Sequence, residues 1–434
     1  MHNGTHNRPL MGLIHPTGNP FAHQAAQGLA ELGVLAEIIT GIAYNPHDPL
    51  AQRIQSLSPA LGRELARRTW IPPQGIKIHH YPLREILRIL LLKARIPQRL
   101  GYSPQGLTDW VYRSLDRTVA HRHLHRWGGV YAYEDGAATV FEAAKRQGKL
   151  CIYDLPIVYY RQSQAIQQRE SDRFPALAPA LLSLREPAAK LARKDRELQL
   201  ADQIIVPSTV VKASLAPTGI PPERITVIPF GAPGETFTPG IQEQEILRVL
   251  FVGRVGPRKG VHYLLEAWRS LSLPDAELHL IGMNEFPPGW LPPGNPQIHY
   301  HGSIPHAQLL PHYQRASLFV FPSLIEGLAL VQLEAMACGL PLLTTANAGA
   351  TDIITDGVEG WIIPAGDVGA LVTQLRWAAD HPEELQRMGR AARQRAEVLT
   401  WQRYREGLKA VLSVAFSNSR NMLENPTLRM PDQI

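Results

Sequence analysis

The stretch FVFPSLIEGLALVQLEAMACGLP, residues 319–341, decides the fold that the sequence predicts. It opens with a short apolar run that stops at Pro322, as a buried strand does. After a sharp turn, strong helix formers continue without a breaker over residues 328–338. Gly339 is placed to end this helix, and the following proline prevents its continuation. The unit is therefore a strand, a sharp turn and a helix.

The turn of this unit is suited to an anionic ligand. In an open parallel sheet, ligands bind beyond the carboxyl ends of the strands. The N–H groups of Gly327, Leu328 and Ala329 would form a helix N-terminus that favours negative charge. Glu326 stands at its mouth, and Glu334 follows two helical turns later. Taken singly, each glutamate is better explained without a ligand: Glu326 by the dipole at a helix start and Glu334 by a polar edge.

Considered together, the residues resemble the donor-binding signature of family 4 retaining glycosyltransferases of the GT-B type, which pair two glutamates with seven residues between them. By this resemblance, Glu326 would contact the donor sugar and Glu334 the ribose hydroxyls. Asp352 departs from the family, which more often has glutamate there. The matching positions are Pro322-Ser323, Glu326-Gly327, Glu334-Ala335-Met336-Ala337, Gly339-Leu340-Pro341, Gly349-Ala350-Thr351-Asp352-Ile353, Asp356-Gly357, Gly360 and Pro364-Ala365-Gly366-Asp367.

Composition limits the class of protein. The chain has 434 residues, of which 44% are apolar, enough for two or three domains with large cores. Its two cysteines, Cys151 and Cys338, lie in apolar surroundings; this favours small core residues in a reducing compartment and excludes a disulfide framework. The net charge of +6 favours anionic partners. We find neither a signal peptide pattern nor an apolar run long enough to span a membrane, and expect a cytoplasmic protein.

The N-terminal half alternates strands and helices from the start. Residues 11–40 predict a strand, a turn at Gly18, a helix and a second strand. A tight turn explains Gly18 by itself. The resembling family uses a glycine loop at this place to reach the donor phosphate and the acceptor.

Polar residues at two later strand ends mark the expected acceptor side. Glu134 and Asp135 follow the strand predicted at residues 128–133, and Asp154 ends the next strand. Helix capping by Asp135 is an equally good explanation. The family often has a histidine near the sugar at the position of Tyr133.

Residues 83–100 combine a helical stripe of leucine and isoleucine with arginines. Two interpretations stay open: a helix lying on an anionic membrane surface, or an amphipathic helix packed on the sheet, which we prefer. Further on, His121, His123 and His125 alternate without a Cys, Asp or Glu spaced to complete a metal site. We expect them on a solvated face.

The second half begins with a strand over residues 246–252, followed by a loop with Gly253, Arg254 and Lys259. The loop is not a P-loop, because Gly260 follows the lysine. A strand end, a helix N-terminus and two cations form an anion site, and the family has Arg and Lys here on the donor diphosphate. Its base pocket usually lies where Ile304 follows a later strand.

The resemblance implies an α/β protein of GT-B architecture, two Rossmann-like doubly wound domains facing across a cleft. We expect an acceptor domain at residues 1–240, a donor domain at 241–400, a helix crossing back at 401–417 and a polar tail at 418–434. The expected reaction is retaining transfer of a sugar from a nucleotide sugar to a carbohydrate or lipid-linked acceptor. We expect no nucleic acid partner and no cofactor. We also expect no metal ion, because no Asp-x-Asp motif occurs. An epimerase of the same architecture and a non-catalytic sugar-nucleotide binder remain alternatives.

Overall fold

The computed structural model describes residues 9–57, 62, 65–66, 68–94, 104–240, 246–291 and 295–424. Residues 95–100 of the basic, apolar segment predicted at 83–100 and the expected polar tail beyond Glu424 lie outside this part of the chain. Within it, strands and helices alternate and the strands form two sheets. Every strand pair in both sheets is parallel, as expected when a helix connects consecutive strands.

The first sheet has seven strands in the order β3-β2-β1-β4-β5-β6-β7. They are β1 (Met11–Ile14), β2 (Leu35–Thr40), β3 (Lys77–His80), β4 (Gly129–Tyr133), β5 (Leu150–Asp154), β6 (Gln203–Val206) and β7 (Ile225–Val227). The helices that accompany this sheet are α1 (Pro20–Glu31), α2 (Pro49–Leu57), α3 (Pro82–Lys93), α4 (Pro104–Arg122), α5 (Ala138–Arg146), α6 (Tyr160–Arg173), α7 (Ala188–Leu200) and α8 (Thr209–Ser214).

The second sheet has six strands in the order β10-β9-β8-β11-β12-β13. They are β8 (Leu247–Val252), β9 (Ala276–Ile281), β10 (Ile298–Gly302), β11 (Leu318–Phe321), β12 (Leu342–Thr345) and β13 (Gly360–Ile363). The remaining helices are α9 (Val261–Ser270), α10 (Leu310–Arg315), α11 (Leu330–Ala337), α12 (Val368–Asp380), α13 (Pro382–Val398) and α14 (Trp401–Glu424).

Both sheets reverse their winding in the middle, between β1 and β4 in the first and between β8 and β11 in the second. Such a reversal is the topological switch point at which open α/β sheets bind ligands. The predicted α/β fold with two Rossmann-like sheets is therefore confirmed. The buried apolar residues form a core that includes both cysteines, and burial raises the pKa of each thiol to about 12.

The last helix, α14, returns to the first sheet and packs along α1. Leu408 is fully buried there, and Arg405 donates to the side chain of Gln24 at 2.6 Å. Lys409 pairs with Glu31 at 3.0 Å. The helix continues through residues 418–424, where we expected a polar tail, because the polar sequence offers no breaker.

Several elements differ from the sequence expectations. The organising helix α11 begins at Leu330 instead of Leu328, because Ala329 is extended at the cap position. Strand β3 is an element that the sequence analysis did not predict; it sits at the sheet edge and none of its residues is fully buried, so it lacks the apolar pattern of a central strand.

Candidate functional site

The switch point of the second sheet brings together two loops that are far apart in sequence. One follows β8 and carries Arg254 and Lys259; the other follows β11 and carries Glu326. Because β8 and β11 are hydrogen-bonded neighbours, their carboxyl ends open at the same edge. The sequence predicted this grouping only through the family resemblance.

Lys259 and Glu326 form an ion pair at this edge. Lys259 ends a short helical turn, and Gly260 follows in the left-handed region at φ +68°. A Cβ at this glycine would lie 2.0 Å from the carbonyl oxygen of Pro322. Only glycine therefore lets the β8 loop pack against the β11 loop closely enough for the pair to form.

Arg258 is a second cation on the same carboxylate. Its Nη1 donates to Glu326 Oε2 at 3.1 Å and to the carbonyl oxygen of Ile325 at 2.9 Å. Sequence reasoning missed this residue, although it precedes Lys259 directly. Arg254, which we predicted instead, turns aside and pairs with Glu285 at 2.6 Å with its side chain 55% exposed.

Lys259 is a buried cation, with only 6% of its surface exposed. Burial lowers its pKa well below the ordinary value, and the neighbouring charge of Arg258 acts in the same direction. The contact with Glu326 favours the charged form and opposes this loss. The single carboxylate of Glu326 is thus shared between two cations, Lys259 and Arg258.

Gly327 lies where the two halves of the chain meet. A Cβ on it would lie 1.8 Å from the carbonyl oxygen of Pro156, and its own carbonyl accepts a 2.6 Å hydrogen bond from Ser208. The backbone N–H groups of Gly327, Leu328 and Ala329 have no acceptor among the residues described by the structure. Three donors thus remain available for a ligand before the first turn of α11.

Glu334 lies on α11 and is 5% exposed. Tyr313 donates to its Oε2 and His306 Nε2 lies against its Oε1, each at 2.8 Å. Neither partner was predicted. Ile304, predicted near the base, lies half-buried between β10 and His306. Gly253 follows β8, and a Cβ on it would lie 3.4 Å from both the Phe251 and the Phe321 ring.

On the opposite side, the loop after β4 presents Glu134 and Asp135. The buried carboxylate of Glu197 builds this loop by accepting from the N–H groups of Asp135 and Ala137, both at 3.0 Å. Asp135 adopts φ +73° and pairs with Lys190 at 3.1 Å. Burial raises the pKa of Glu134, an effect that a nearby lysine opposes.

The other predicted acceptor-side residues lie deeper. Tyr133 is 4% exposed and stacks edgewise on His15, with ring centroids 4.6 Å apart. Asp154 is fully enclosed; it accepts from the Tyr131 hydroxyl at 2.6 Å, and burial raises its pKa to about 7. Gly18, at φ +61°, lies against the Trp70 ring.

A cavity of about 640 Å³ separates the two sides, within the usual size range of a ligand site. Glu134, Asp135, Lys190 and Lys194 line it from the first half. Arg254, Arg258 and Glu285 line it from the second. The structure therefore places Glu134, Asp135 and Arg254 on one cavity. Tyr133, Asp154 and Gly18 do not line it, and neither do Lys259, Glu326 and Glu334.

Of the alternating histidines, His121 and His125 are exposed, as expected, but His123 is buried. His123 is 2% exposed, and its Nδ1 lies 3.0 Å from Glu37 Oε1. His79 reaches the second oxygen of Glu37 at 2.8 Å. The carboxylate comes from a distant strand, β2, so the sequence spacing around His123 could not reveal it.

The apolar stripe of helix α3 is largely exposed to solvent: Leu83 is 82% exposed and Leu90 is 58% exposed. A groove of about 430 Å³ runs beside it between α3 and α4. The groove is lined mostly by basic residues, namely Arg84, Arg113, Arg117, His121 and Arg122. No helix in the described ranges is both long and apolar enough to span a membrane.

The two facing sheets and the interdomain cavity define the GT-B class of glycosyltransferase folds. Residues 237–395 match the family described as "Glycosyl transferases group 1". The segment that carries Lys259, Glu326 and Glu334 therefore matches the group 1 glycosyltransferases, as the resemblance implied.

Comparisons with individual proteins agree. The chain is 28% identical over 251 residues to a D-inositol 3-phosphate glycosyltransferase of Kribbella flavida, covering 50% of this chain and 57% of that one. It thus spans about half the length of the curated relatives it matches. Sucrose-phosphate synthase from Thermosynechococcus elongatus shares the fold over 95% of this chain at 18% identity, with a TM-score of 0.60. Anabaena HepE in complex with UDP shares the fold over 93% of this chain at 13% identity, with a TM-score of 0.58. In both comparisons the alignment covers 100% of the solved structure's chain.

Proposed function

We propose that the chain is a family 4 retaining glycosyltransferase that transfers a sugar from a nucleoside diphosphate sugar to an acceptor. The observation that carries the proposal is the meeting of Lys259 and Arg258 with Glu326 at the switch point of the group 1 segment. In this proposal residues 241–400 bind the donor, residues 1–240 bind the acceptor and α14 connects the two.

The proposed chemistry follows from the charges. A departing nucleoside diphosphate develops negative charge on its β-phosphate, which must be stabilised in the transition state. Lys259, Arg254 and Arg258 supply fixed positive charge, and the N–H groups at Gly327 supply oriented dipoles. Glu326 would then contact the transferred sugar. This arrangement provides the compensating charge without a metal ion.

The donor would extend from this centre along the second sheet. Glu334 would accept hydrogen bonds from the ribose, and the backbone around Gly253 and Ile304 would border the base. UDP is the first nucleotide to test, because the fold neighbour HepE was crystallised with it.

The acceptor would enter from the opposite wall. Glu134 and Asp135 border the cavity there and offer carboxylates to sugar hydroxyls, with Lys190 and Lys194 beside them. Tyr133 and Asp154 would support this wall from behind. A carbohydrate or lipid-linked acceptor fits this mixture of carboxylates and cations.

We also propose that α3 rests on the cytoplasmic surface of an anionic membrane. Its uncovered leucines and the adjoining arginine groove combine an apolar face with positive charge. This combination is typical of interfacial helices and would bring a lipid-linked acceptor to the cavity.

The deciding experiment combines binding with product analysis. Thermal shift with UDP, GDP and ADP identifies the base, since a ligand at about 100 times its Kd stabilises by roughly 2.7 kcal/mol. NMR of the product from the matching nucleotide sugar then gives the anomeric configuration. Inversion would refute the retaining mechanism. Donor isomerisation without acceptor would indicate the epimerase alternative, and binding without turnover of any acceptor a non-catalytic protein.

A further inference from the structure

A cluster of histidines lies on the edge of the second sheet, outside the cavity. His279 on β9 is the register partner of His299 on β10. Glu277 lies two residues from His279 and therefore on the same face of the sheet, and His301 reaches this face with its Nε2 2.9 Å from His279 Nδ1. The proposed glycosyl transfer uses none of them.

The three side chains of Glu277, His279 and His299 converge. His279 Nε2 lies 3.0 Å from Glu277 Oε2, and His299 Nε2 lies 4.0 Å from Glu277 Oε1. One ligand atom from each of the three residues lies within 4.8 Å of the other two. The side chains of Glu277 and His299 are 32% and 39% exposed, which leaves the group open to solvent.

We propose that Glu277, His279 and His299 form a zinc-binding site on the β9–β10 edge. Two imidazoles and one carboxylate match the nitrogen and oxygen ligands that Zn²⁺ takes, with water at the fourth position. Tetrahedral coordination at about 2.0–2.1 Å separates ligand atoms by roughly 3.3 Å, so small side-chain rotations of His299 complete the site.

Neighbouring residues already orient these ligands. His279 Nδ1 lies 2.9 Å from His301 Nε2, so His279 can donate to His301 while its Nε2 faces the metal. Arg248 Nε donates to Glu277 Oε2 at 3.1 Å and fixes the carboxylate. Outer contacts of this kind set the tautomer and direction of zinc ligands.

A second cluster, Glu37 with His79 and His123, provides the comparison. Its carboxylate already accepts from Trp127 Nε1 at 2.9 Å, and Arg126 lies 3.5 Å away. Glu37 and His123 are also buried. Only the His79 side chain, 38% exposed, is open to solvent in this group, while the carboxylate and the second imidazole are buried and hydrogen-bonded, so we expect no zinc there.

The test uses the full chain, from which bound metal is first removed with a chelator and the chelator is then removed by dialysis. Isothermal titration with ZnCl₂ should show a site whose affinity falls more than about tenfold in His279→Gln and in His299→Gln. The same variant type in the second cluster, His79→Gln, should bind zinc like the wild type. Melting curves without metal check that each variant is folded.

Two results would overturn the proposal. One is zinc binding that is unchanged in both His279→Gln and His299→Gln. The other is zinc binding that is lost in His79→Gln, which would assign the metal to the buried cluster. The absorption spectrum of the Co²⁺-substituted protein gives a second readout, because loss of one imidazole should change its visible bands even where the affinity change is small.

Discussion

The carboxylate of Asp352, in the second half of the chain, accepts two hydrogen bonds from Thr209 in the first half. The Thr209 backbone N–H donates at 2.9 Å and its hydroxyl at 2.8 Å. The preceding residue, Ser208, donates its hydroxyl hydrogen to the Gly327 carbonyl. The residue that departs from the family pattern is therefore one that joins the two halves beside the proposed donor site.

We predict that Asp352→Ala lowers the melting temperature, because two hydrogen bonds to a charged acceptor are lost. The expected cost is about 1 kcal/mol at this partly exposed position, equivalent to roughly 2–4 °C. Differential scanning fluorimetry measures it. Asp352→Asn retains an acceptor oxygen, so its melting temperature should fall less. Equal decreases in melting temperature in the two variants would contradict the role of the hydrogen bonds.

The proposed ribose contact predicts a selective defect in Glu334→Gln. Losing a charged hydrogen bond should weaken nucleoside diphosphate binding by about 1–3 kcal/mol, measured by calorimetry. The amide keeps an oxygen for the Tyr313 hydroxyl, so the protein should remain folded.

Tyr313→Phe is the matched control. It removes a buried donor to the same carboxylate and should lower stability while leaving nucleotide affinity nearly intact. Unchanged nucleotide binding in Glu334→Gln, or an equal loss in both variants, would argue against the ribose assignment.

The contact between His306 and Glu334 predicts a pH-dependent term in stability. The carboxylate hydrogen bond raises the pKa of His306 above its usual value. The stabilisation is then fully present below about pH 6.5 and is lost as pH rises through the folded-state pKa. Because the His306 side chain is 67% exposed, solvent screening should keep it below about 1 kcal/mol.

Melting curves of the wild type and His306→Gln should therefore differ most near pH 6 and converge towards pH 8. His121→Gln, which changes an exposed histidine, should show no such convergence. A difference between wild type and His306→Gln that stays constant over this range would exclude a titrating contact.

Local sequence patterns predicted most of the elements because the buried strands carry continuous apolar runs. Strand β11, for example, ends at Pro322 as its pattern indicates. Strand β3 was missed because its edge position imposes no such pattern on residues 77–80. The end of α14 was placed too early because polar residues were interpreted as a tail, although residues 418–424 contain no helix breaker.

The site was predictable where chemistry and motif lie together in sequence, as with Lys259 and Glu326. It was not predictable where partners come from distant elements. His306 and Tyr313 reach Glu334 across 28 and 21 residues, and Glu197 supports the β4 loop from α7. Only the folded chain brings such side chains together, so no spacing in the sequence could have indicated these contacts.

The uncovered face of α3 predicts binding to anionic vesicles. Sedimentation with phosphatidylglycerol vesicles should exceed that with neutral vesicles and should fall with added salt, since each basic contact contributes about 1 kcal/mol and is screened. The double variant Leu83→Ser, Leu90→Ser should lose binding without loss of stability, because both side chains are already exposed.

The charge contribution has its own pair of variants. Arg117→Glu lies in the groove beside α3 and should weaken vesicle binding. Arg376→Glu makes the same charge change at an exposed position on α12 and should not. Equal effects of the two variants would indicate a non-specific response to net charge, and no binding at low salt would favour the packed-helix interpretation.

The last prediction concerns catalysis without a metal ion. If Lys259 and its neighbouring cations balance the diphosphate charge, activity should survive EDTA. Lys259→Met removes the charge but keeps the packing of the side chain near the Phe321 ring, 4.8 Å away. It should lower kcat by roughly 10²–10³, the cost of losing one preorganised charge-stabilising group, and Arg254→Ala should act in the same direction.

Glu326→Gln separates the sugar contact from the phosphate contact: turnover should fall while nucleotide affinity stays nearly constant. His299→Gln is the control for zinc, because EDTA would also empty a site on the β9–β10 edge, and this variant should keep full activity. Activity abolished by EDTA and restored by magnesium or manganese would refute the metal-free mechanism. The carboxylates of Asp135, Asp154 and Asp352 would then be the first ligands to test, since a metal at the diphosphate needs oxygen ligands.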